Sequence, residues 1–226
     1  MSESPDAAAG RGATFALIHG GGSSGWDWHL VEAELRSRGH RTVAVDLPIE
    51  DESAGLLDYA DTVVRAVGDD PRDLVVVAHS WGGFVAPLVC DRLPAKLLVL
   101  VTAMIPAPGE PPGEWWSNTG FSSGSMDDQI ALFMHDVPKE LAEEELAKGR
   151  PQADRPSAEP WPLAAWPDVP TRFLLCRDDR FFTPEFMRRV VRDRLGVTPD
   201  EIGGSHMVML SRPKELADRL EAYLTA

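Results

Sequence analysis

The sequence lacks the residues and runs that mark several large classes of protein. It has only two cysteines, Cys90 and Cys176, with no CxxC pair and no clustered His and Cys at metal-ligand spacing. This scarcity argues against a disulfide-stapled secreted scaffold and against a zinc site. No apolar run approaches the roughly 20 residues of a membrane-spanning helix, and the polar opening MSESPDAAAGRGA lacks the apolar segment of a signal peptide. We therefore expect a reduced, cytoplasmic protein.

Positive charge is also in short supply. There are 22 Lys and Arg against 36 Asp and Glu, which gives a formal net charge of −14 at pH 7 and a pI of about 4.8. An acidic surface repels phosphate backbones and anionic lipids, so we expect neither a nucleic-acid nor a membrane partner. The expected partner is a small-molecule substrate, and the chain is expected to be a monomer or a homodimer.

Strand and helix signals alternate along the chain. Apolar runs predict six strands, at 14–19, 41–46, 73–79, 96–103, 171–176 and 198–202. Helical spacing and capping signals predict the main helices between them, at 26–38, 56–67, 81–93, 184–195 and 213–224. This alternation predicts a doubly wound, mostly parallel six-stranded sheet with right-handed crossovers. In such sheets ligands bind beyond the carboxyl ends of the strands.

The length of 226 residues fits one α/β domain with an insertion. We predict a flexible N-terminal tail at 1–12 and a single domain at 13–226. The stretch at about 107–170 is rich in Pro, Trp and Gly and carries two predicted helices, near 126–134 and 138–149. Since it follows the fourth predicted strand, it should cover the ligand edge as a lid.

The segment from Gly20 to Gly25 spells G-x-G-x-x-G after a predicted strand, which is the pattern of a dinucleotide-binding loop. Asp46 lies about where a ribose-binding acid would follow. Against this interpretation, the next helix opens with Trp26, Asp27 and Trp28, which are bulky and acidic where a pyrophosphate needs slim, neutral or positive surroundings. We expect no cofactor and no metal.

A second motif follows the buried strand at 73–79. Ala78-His79-Ser80-Trp81-Gly82 matches the nucleophile elbow G-x-S-x-G, with Ala at the first position. Such a turn exposes the serine oxygen, and it is so tight that the flanking positions must be small. The helix that follows directs its first amides at the serine, which favours developing negative charge. The alternative is an ordinary turn in which Ser80 only caps a helix.

A serine nucleophile needs a base, and the base needs an orienting acid. Of the six histidines, only His206 follows the late strand that should supply the acid, and it lies in a Gly-rich loop before the last helix. Asp178 and Asp179 both follow that strand, and spacing alone does not separate them. His19 is expected to brace the glycine loop through a ring hydrogen bond, and His79 is expected to point away from the site.

With these residues in place, the chain resembles the α/β-hydrolase superfamily, and most closely the small plant-type methylesterases and hydroxynitrile lyases. The stretches HGGGSSGWDWH, AHSWGG, CRDDRFFTPEF and GGSHMVMLSRPKEL carry this resemblance. It implies Asp179 as the acid, and the amides of Gly21 and Trp81 as the oxyanion hole. The lyases have a lysine just after the catalytic histidine, where this chain has Met207, so the resemblance favours hydrolysis over cyanohydrin cleavage.

The sequence therefore predicts a cofactor-independent serine hydrolase with the triad Ser80, Asp179 and His206. Its substrate would be a small to medium hydrophobic ester, thioester or lactone. Large apolar side chains, most of them in the insertion, are candidates for the pocket wall: Trp115, Trp116, Phe121, Phe133, Trp161 and Met207. Two alternatives stay open: a non-hydrolytic biosynthetic enzyme, such as a lyase or cyclase, and a ligand-binding protein on the same fold.

Overall fold

A computed structural model describes residues 12–122 and 126–225. Within these residues, six parallel strands form one sheet in the order β2-β1-β3-β4-β5-β6. The strands are β1 (Thr14–Ile18), β2 (Arg41–Ala44), β3 (Leu74–His79), β4 (Ala95–Val101), β5 (Thr171–Cys176) and β6 (Asp200–Ile202). The predicted doubly wound sheet is confirmed, and it is parallel throughout.

Helices cover both faces of this sheet. The described helices are α1 (His29–Ser37), α2 (Leu56–Val67), α3 (Ala86–Cys90), α4 (Trp115–Asn118), α5 (Gln129–Phe133), α6 (Lys139–Ala147), α7 (Arg155–Ala158), α8 (Pro184–Leu195), α9 (Val208–Ser211) and α10 (Pro213–Ala222). Strand β3 lies inside the sheet, and all six of its residues are buried. Its alternate side chains enter two separate cores, one shared with α2, α3 and α8 and the other with α1 and α10. Burial on both faces explains why LVVVAH shows no polar alternation.

Two predicted helices are shorter than expected. The segment 81–93 divides into a 3-10 turn at Ser80–Phe84 and the α-helix α3. Pro87 lacks the amide that an uninterrupted helix would need there, and it is accommodated in the first turn of α3. The segment 26–38 likewise begins as a 3-10 turn, Gly25–Trp28, before α1.

The insertion lies between β4 and β5 and is tied to the core by buried side chains. Trp115 donates its indole N–H to the carbonyl of Ile105 at 2.9 Å, and Trp161 donates to that of Phe84 at 2.9 Å. In this region α5 covers only the end of the helix predicted near 126–134, and residues 123–125 lie outside the described part of the chain. Most of the predicted N-terminal tail, residues 1–11, also lies outside the described ranges. Among the helices of the described ranges, none is long and apolar enough to cross a membrane.

Candidate active site

Ser80 occupies a strained turn at the carboxyl end of β3. Its φ is +49°, a conformation that costs a residue with a Cβ about 1 to 3 kcal/mol. The turn is held because the amide of Met104 donates to the carbonyl of Ser80 at 2.9 Å. The two glycines that follow permit close packing, since a Cβ on Gly82 would lie 2.7 Å from the carbonyl oxygen of His19 and one on Gly83 would lie 1.9 Å from that of Met104. Only glycine fits at these two positions.

The other two predicted triad residues are in contact. Asp179 follows β5, and its Oδ2 lies 2.7 Å from Nδ1 of His206. Both side chains are almost fully buried. Because Nδ1 faces the carboxylate, a proton exchange between His206 and any other group would use Nε2. Ser80 and His206 line the same cavity.

The neighbouring Asp178 has a different position. Its Oδ2 accepts a hydrogen bond from the amide of Gly204 at 2.7 Å, and its main-chain carbonyl lies 2.8 Å from Nε2 of His135. The first contact holds the Gly-rich loop that carries His206, and the second ties Asp178 to the insertion. The geometry therefore separates two adjacent aspartates that spacing alone did not.

Sequence reasoning missed Thr102, which follows β4 and is fully buried. Its hydroxyl donates to Oδ2 of Asp179 at 2.8 Å, and the amides of Phe181 and Phe182 donate to Oδ1 at 2.8 and 2.9 Å. Together with His206, these donors orient both carboxylate oxygens. A polar residue at the carboxyl end of a buried strand is the signal that could have identified Thr102.

The expectation that His79 points away from the site is wrong. Its Nε2 lies 3.0 Å from the main-chain carbonyl of His206, and the two rings are 4.6 Å apart. Burial lowers the pKa of His79 well below its ordinary value, with the nearby His206 lowering it further. A neutral ring that donates from Nε2 keeps a lone pair on Nδ1, which is buried and without a hydrogen-bond partner among the described residues.

His19 braces the glycine loop as predicted. Its Nε2 accepts from the amide of Leu47 at 3.0 Å, so Nδ1 carries the proton and donates to the carbonyl of Gly20 at 2.7 Å. Burial lowers the pKa of His19 to about 4, which keeps the ring neutral. This brace sets the course of the loop beside Ser80.

The loop runs directly past the elbow. A Cβ on Gly20 would lie 3.2 Å from the Cβ of Ser80, and one on Gly21 would lie 3.4 Å from that of Trp81. Asp46, the candidate ribose ligand of a dinucleotide site, accepts from the amide of Gly25 at 2.8 Å instead. The glycines thus allow two main-chain segments to approach each other, and the geometry disfavours a pyrophosphate site.

One cavity of about 440 Å³ adjoins Ser80 and His206. Of the predicted wall residues, Trp116, Phe133 and Met207 line it, as does Trp81. Three others do not belong to its described lining. Trp115 and Trp161 are fully buried in the core that ties down the insertion, and Phe121 packs at a centroid distance of 5.1 Å behind Trp116. Their predicted role in the pocket is corrected to a packing role.

The cavity is also less apolar than the sequence suggested. Part of its wall is formed by polar and charged side chains, namely Ser23, Asp27, Gln129, Glu145 and Arg150. None of these was predicted, because they come from the glycine loop, the 3-10 turn after it and the insertion, and only the folded chain brings them together. The cavity therefore has an apolar wall and a polar end.

The two cysteines are not placed as nucleophiles, and the described residues form no metal-ligand cluster. Burial raises the pKa of the Cys90 thiol to about 12 and that of Cys176 well above its ordinary value, so neither supplies a thiolate. Among the residues that the structure describes, no group of three His, Cys, Asp or Glu side chains is arranged to hold a metal ion.

Comparisons with known proteins agree with this architecture. A family model described as the alpha/beta hydrolase family matches residues 15–219. Methylesterase 7 of Arabidopsis thaliana is 27% identical over 240 aligned positions, covering 89% of this chain and 92% of the relative. Norfluorocurarine synthase 1 from a Strychnos species is 26% identical over 249 positions, covering 92% and 93%.

Solved structures share the fold as well. The crystal structure of polyneuridine aldehyde esterase superposes with a TM-score of 0.79 at 24% identity, over 94% of this chain and 99% of that one. The family match spans most of the sequence and includes the elbow, Asp179 and His206. The chain belongs to the alpha/beta hydrolase family.

Proposed function

We propose that this protein is a serine hydrolase that cleaves a small to medium hydrophobic carboxylic ester through a covalent acyl-enzyme. The observation that carries the proposal is the 2.7 Å contact between Asp179 and His206, beside a cavity whose wall includes both His206 and the strained Ser80. Strain at a non-glycine residue is retained where the surrounding structure overdetermines it, and such positions cluster at reactive sites. Similarity to a methylesterase supports the same reaction class.

In the proposed reaction, His206 takes the proton of Ser80 while the hydroxyl oxygen attacks the ester carbonyl. Asp179 holds the His206 tautomer and stabilises the imidazolium. The amides of Gly21 and Trp81 stabilise the oxyanion, and donors of this kind contribute a factor of roughly 100 or more each. The alcohol leaves with the proton from His206, and a water activated by His206 then releases the acid.

The shape of the cavity supports the substrate size. A volume of about 440 Å³ suits an acyl or alcohol group of modest size. Its apolar wall includes Trp116, Phe133, Phe181 and Met207. A thioester or lactone presents the same carbonyl and would fit the same mechanism.

A second candidate is a non-hydrolytic reaction on the same residues. It is favoured by one observation, that a relative of similar identity is named a synthase. Repeated turnover of an activated ester distinguishes a hydrolase from the alternatives. A hydrolase releases nitrophenol continuously, whereas a ligand-binding protein on the same fold releases none. A synthase that excludes water from its intermediate would release nitrophenol once and then stop.

The test is steady-state hydrolysis of 4-nitrophenyl esters of increasing chain length, with two aspartate variants compared. We expect repeated turnover by the natural protein. Asp179→Asn should lower kcat about a thousandfold or more, because an amide facing Nδ1 of His206 favours the wrong tautomer. Asp178→Asn should change kcat less than about threefold, since its amide oxygen can still accept from Gly204.

The two variants remove the same charge from adjacent positions, so each is the control for the other. Circular dichroism and thermal unfolding show whether both remain folded. Full activity in Asp179→Asn, with loss in Asp178→Asn, would reverse the assignment of the acid. A natural protein that turns over no ester would reject the hydrolase proposal.

A further inference from the structure

The polar end of the cavity contains a buried carboxyl that the proposed mechanism does not use. Asp27 lies in the 3-10 turn Gly25–Trp28 and is only 2% exposed, yet it forms part of the cavity wall. The hydroxyl of Ser23 donates to its Oδ2. Glu145, from α6 of the insertion, lines the same cavity and is half-buried. Two acidic side chains from distant segments therefore line the same cavity as Ser80.

Arg150, the arginine in the described lining of this cavity, forms its ion pair with Glu50 and not with Asp27. The Arg150 guanidinium lies 3.1 Å from Glu50 and also donates to the main-chain carbonyl of Ser23 at 3.4 Å. Lys148 lies with its ammonium 5.0 Å above the ring of Trp26. The carboxyl of Asp27 is thus buried with a neutral hydroxyl as its side-chain partner.

The two carboxyl groups of the polar end both have raised pKa values. Burial raises the pKa of Asp27 to about 7, against the opposing hydrogen bond from Ser23, and the negative charges of Glu145 and Asp46 raise it further. Burial also raises the pKa of Glu145. A buried carboxylate without a cation is costly, and a cationic ligand removes that cost. Above the raised pKa of Asp27, the two carboxylates of this end face one cation, Arg150, which is already paired with Glu50. The end is therefore suited to a substrate that brings its own positive charge.

We infer that the polar end binds a cationic nitrogen group of the substrate, so that the ester cleaved at Ser80 carries an ammonium at the end remote from its carbonyl. This inference rests on the proposed hydrolase function and specifies its substrate class. Asp27 is the main specificity-determining residue, Glu145 supplements its charge, and the hydroxyl of Ser23 orients the carboxyl. The scissile carbonyl stays among the apolar side chains near His206.

The test compares two esters of the same shape. One is a 4-nitrophenyl ester with a terminal trimethylammonium group on a straight acyl chain, and the other carries a terminal tert-butyl group in its place. The quaternary nitrogen keeps its charge at every pH and cannot itself catalyse hydrolysis. We expect the natural protein to favour the cationic ester about tenfold in kcat/KM at pH 8, which corresponds to about 1.4 kcal/mol.

Asp27→Asn should reduce that preference at least about fivefold, and Glu145→Gln should reduce it by a smaller factor. Glu143→Gln is the matched control: it removes a negative charge from the same helix, α6, but from an exposed position paired with Lys139. Its ratio of kcat/KM values should equal that of the natural protein. The ratio is used because it cancels changes that affect both esters alike.

The natural protein gives an independent readout that requires no variant. Asp27 is protonated below its raised pKa of about 7, so the preference for the cationic ester should fall as the pH is lowered from 8 to 6. Protonation of the catalytic base slows both esters equally and cancels in the ratio.

The possible outcomes distinguish a failure of the cationic-substrate inference from a failure of the proposed hydrolase function. If both esters are hydrolysed with a ratio near one that neither pH nor Asp27→Asn changes, the cationic-substrate inference is overturned and the hydrolase function stands. If neither ester is hydrolysed, the hydrolase function fails and the inference fails with it. A preference that Glu143→Gln removes as strongly as Asp27→Asn would also overturn the inference, because it would assign the effect to the general field of the acidic surface.

Discussion

Replacing Ser80 with alanine should lower kcat for ester hydrolysis by about 10⁴-fold or more. Removing the nucleophile of a serine triad costs about as much as removing the whole triad, because the three residues act as a unit. Alanine has the same Cβ as serine and occupies the same strained turn at φ +49°, so the fold should be retained. The measurement is the steady-state rate of hydrolysis of a 4-nitrophenyl ester, divided by the concentration of folded protein in each sample.

Ser211→Ala is the matched control for this prediction. Its hydroxyl lies near the end of α9, is buried, and has no hydrogen-bond partner among the described residues, so its loss leaves no donor unsatisfied. We expect this variant to keep its activity within about twofold. Equal activity in Ser80→Ala and the natural protein would show that the serine does not attack the ester.

Replacing Gly83 with alanine destabilises the fold by about 3 kcal/mol or more. The added Cβ would lie 1.9 Å from the carbonyl oxygen of Met104, and the carbonyl carbon and amide nitrogen of Met104 lie within 3.1 Å of it. All three atoms belong to the main chain after β4, so relief requires the backbone to move rather than a side chain to rotate. For a chain of this size we expect a fall in Tm of about 6 to 12 °C, measured by calorimetry.

Gly68→Ala separates steric overlap from backbone strain. Gly68 has φ +82°, and no atom lies within 4 Å of the place that a Cβ would occupy, so alanine there is strained but not crowded. With ψ at 178°, this backbone conformation is essentially restricted to glycine, and the expected cost is about 1 to 3 kcal/mol. If Gly83→Ala were no less stable than Gly68→Ala, the close approach of the elbow to Met104 would not be a determinant of the fold.

The fold was predictable because its signals are local. The apolar run in β3 and the alternation of strands with amphipathic helices specify a parallel sheet without knowledge of distant contacts. The division of the helix after Ser80 was not predictable in the same way. It depends on Pro87 and on the packing of Gly83 against Met104, a contact between residues about 20 positions apart.

The candidate site was predictable in its motif residues and not in its supports. Ser80 and His206 stand in recognisable surroundings, whereas Thr102 and His79 act on residues far away in sequence. Asp27 was noticed only as an obstacle to phosphate binding, because its place in the cavity wall depends on how the insertion folds over the glycine loop. A residue whose role depends on a contact with a distant segment can be recognised only in the folded structure.

The aromatic residues illustrate the same limit. Trp115 and Trp116 are adjacent in sequence and chemically identical, yet the first is buried in the core and the second lines the cavity. The direction of each side chain is set by the short helix α4 and by the indole hydrogen bond of Trp115 to Ile105. The sequence could identify the large apolar side chains that are candidates for the cavity wall. Which of them line the cavity depends on how they pack in the folded chain.

If the pair of Asp179 and His206 makes Ser80 a nucleophile, an alkyl fluorophosphonate should modify Ser80 selectively. Intact-mass spectrometry should then show one adduct per chain, mapped by peptide sequencing to Ser80, and a much slower reaction in His206→Ala. An adduct on another residue would rule out Ser80 as the nucleophile. So would a protein that is fully modified at Ser80 and still hydrolyses esters.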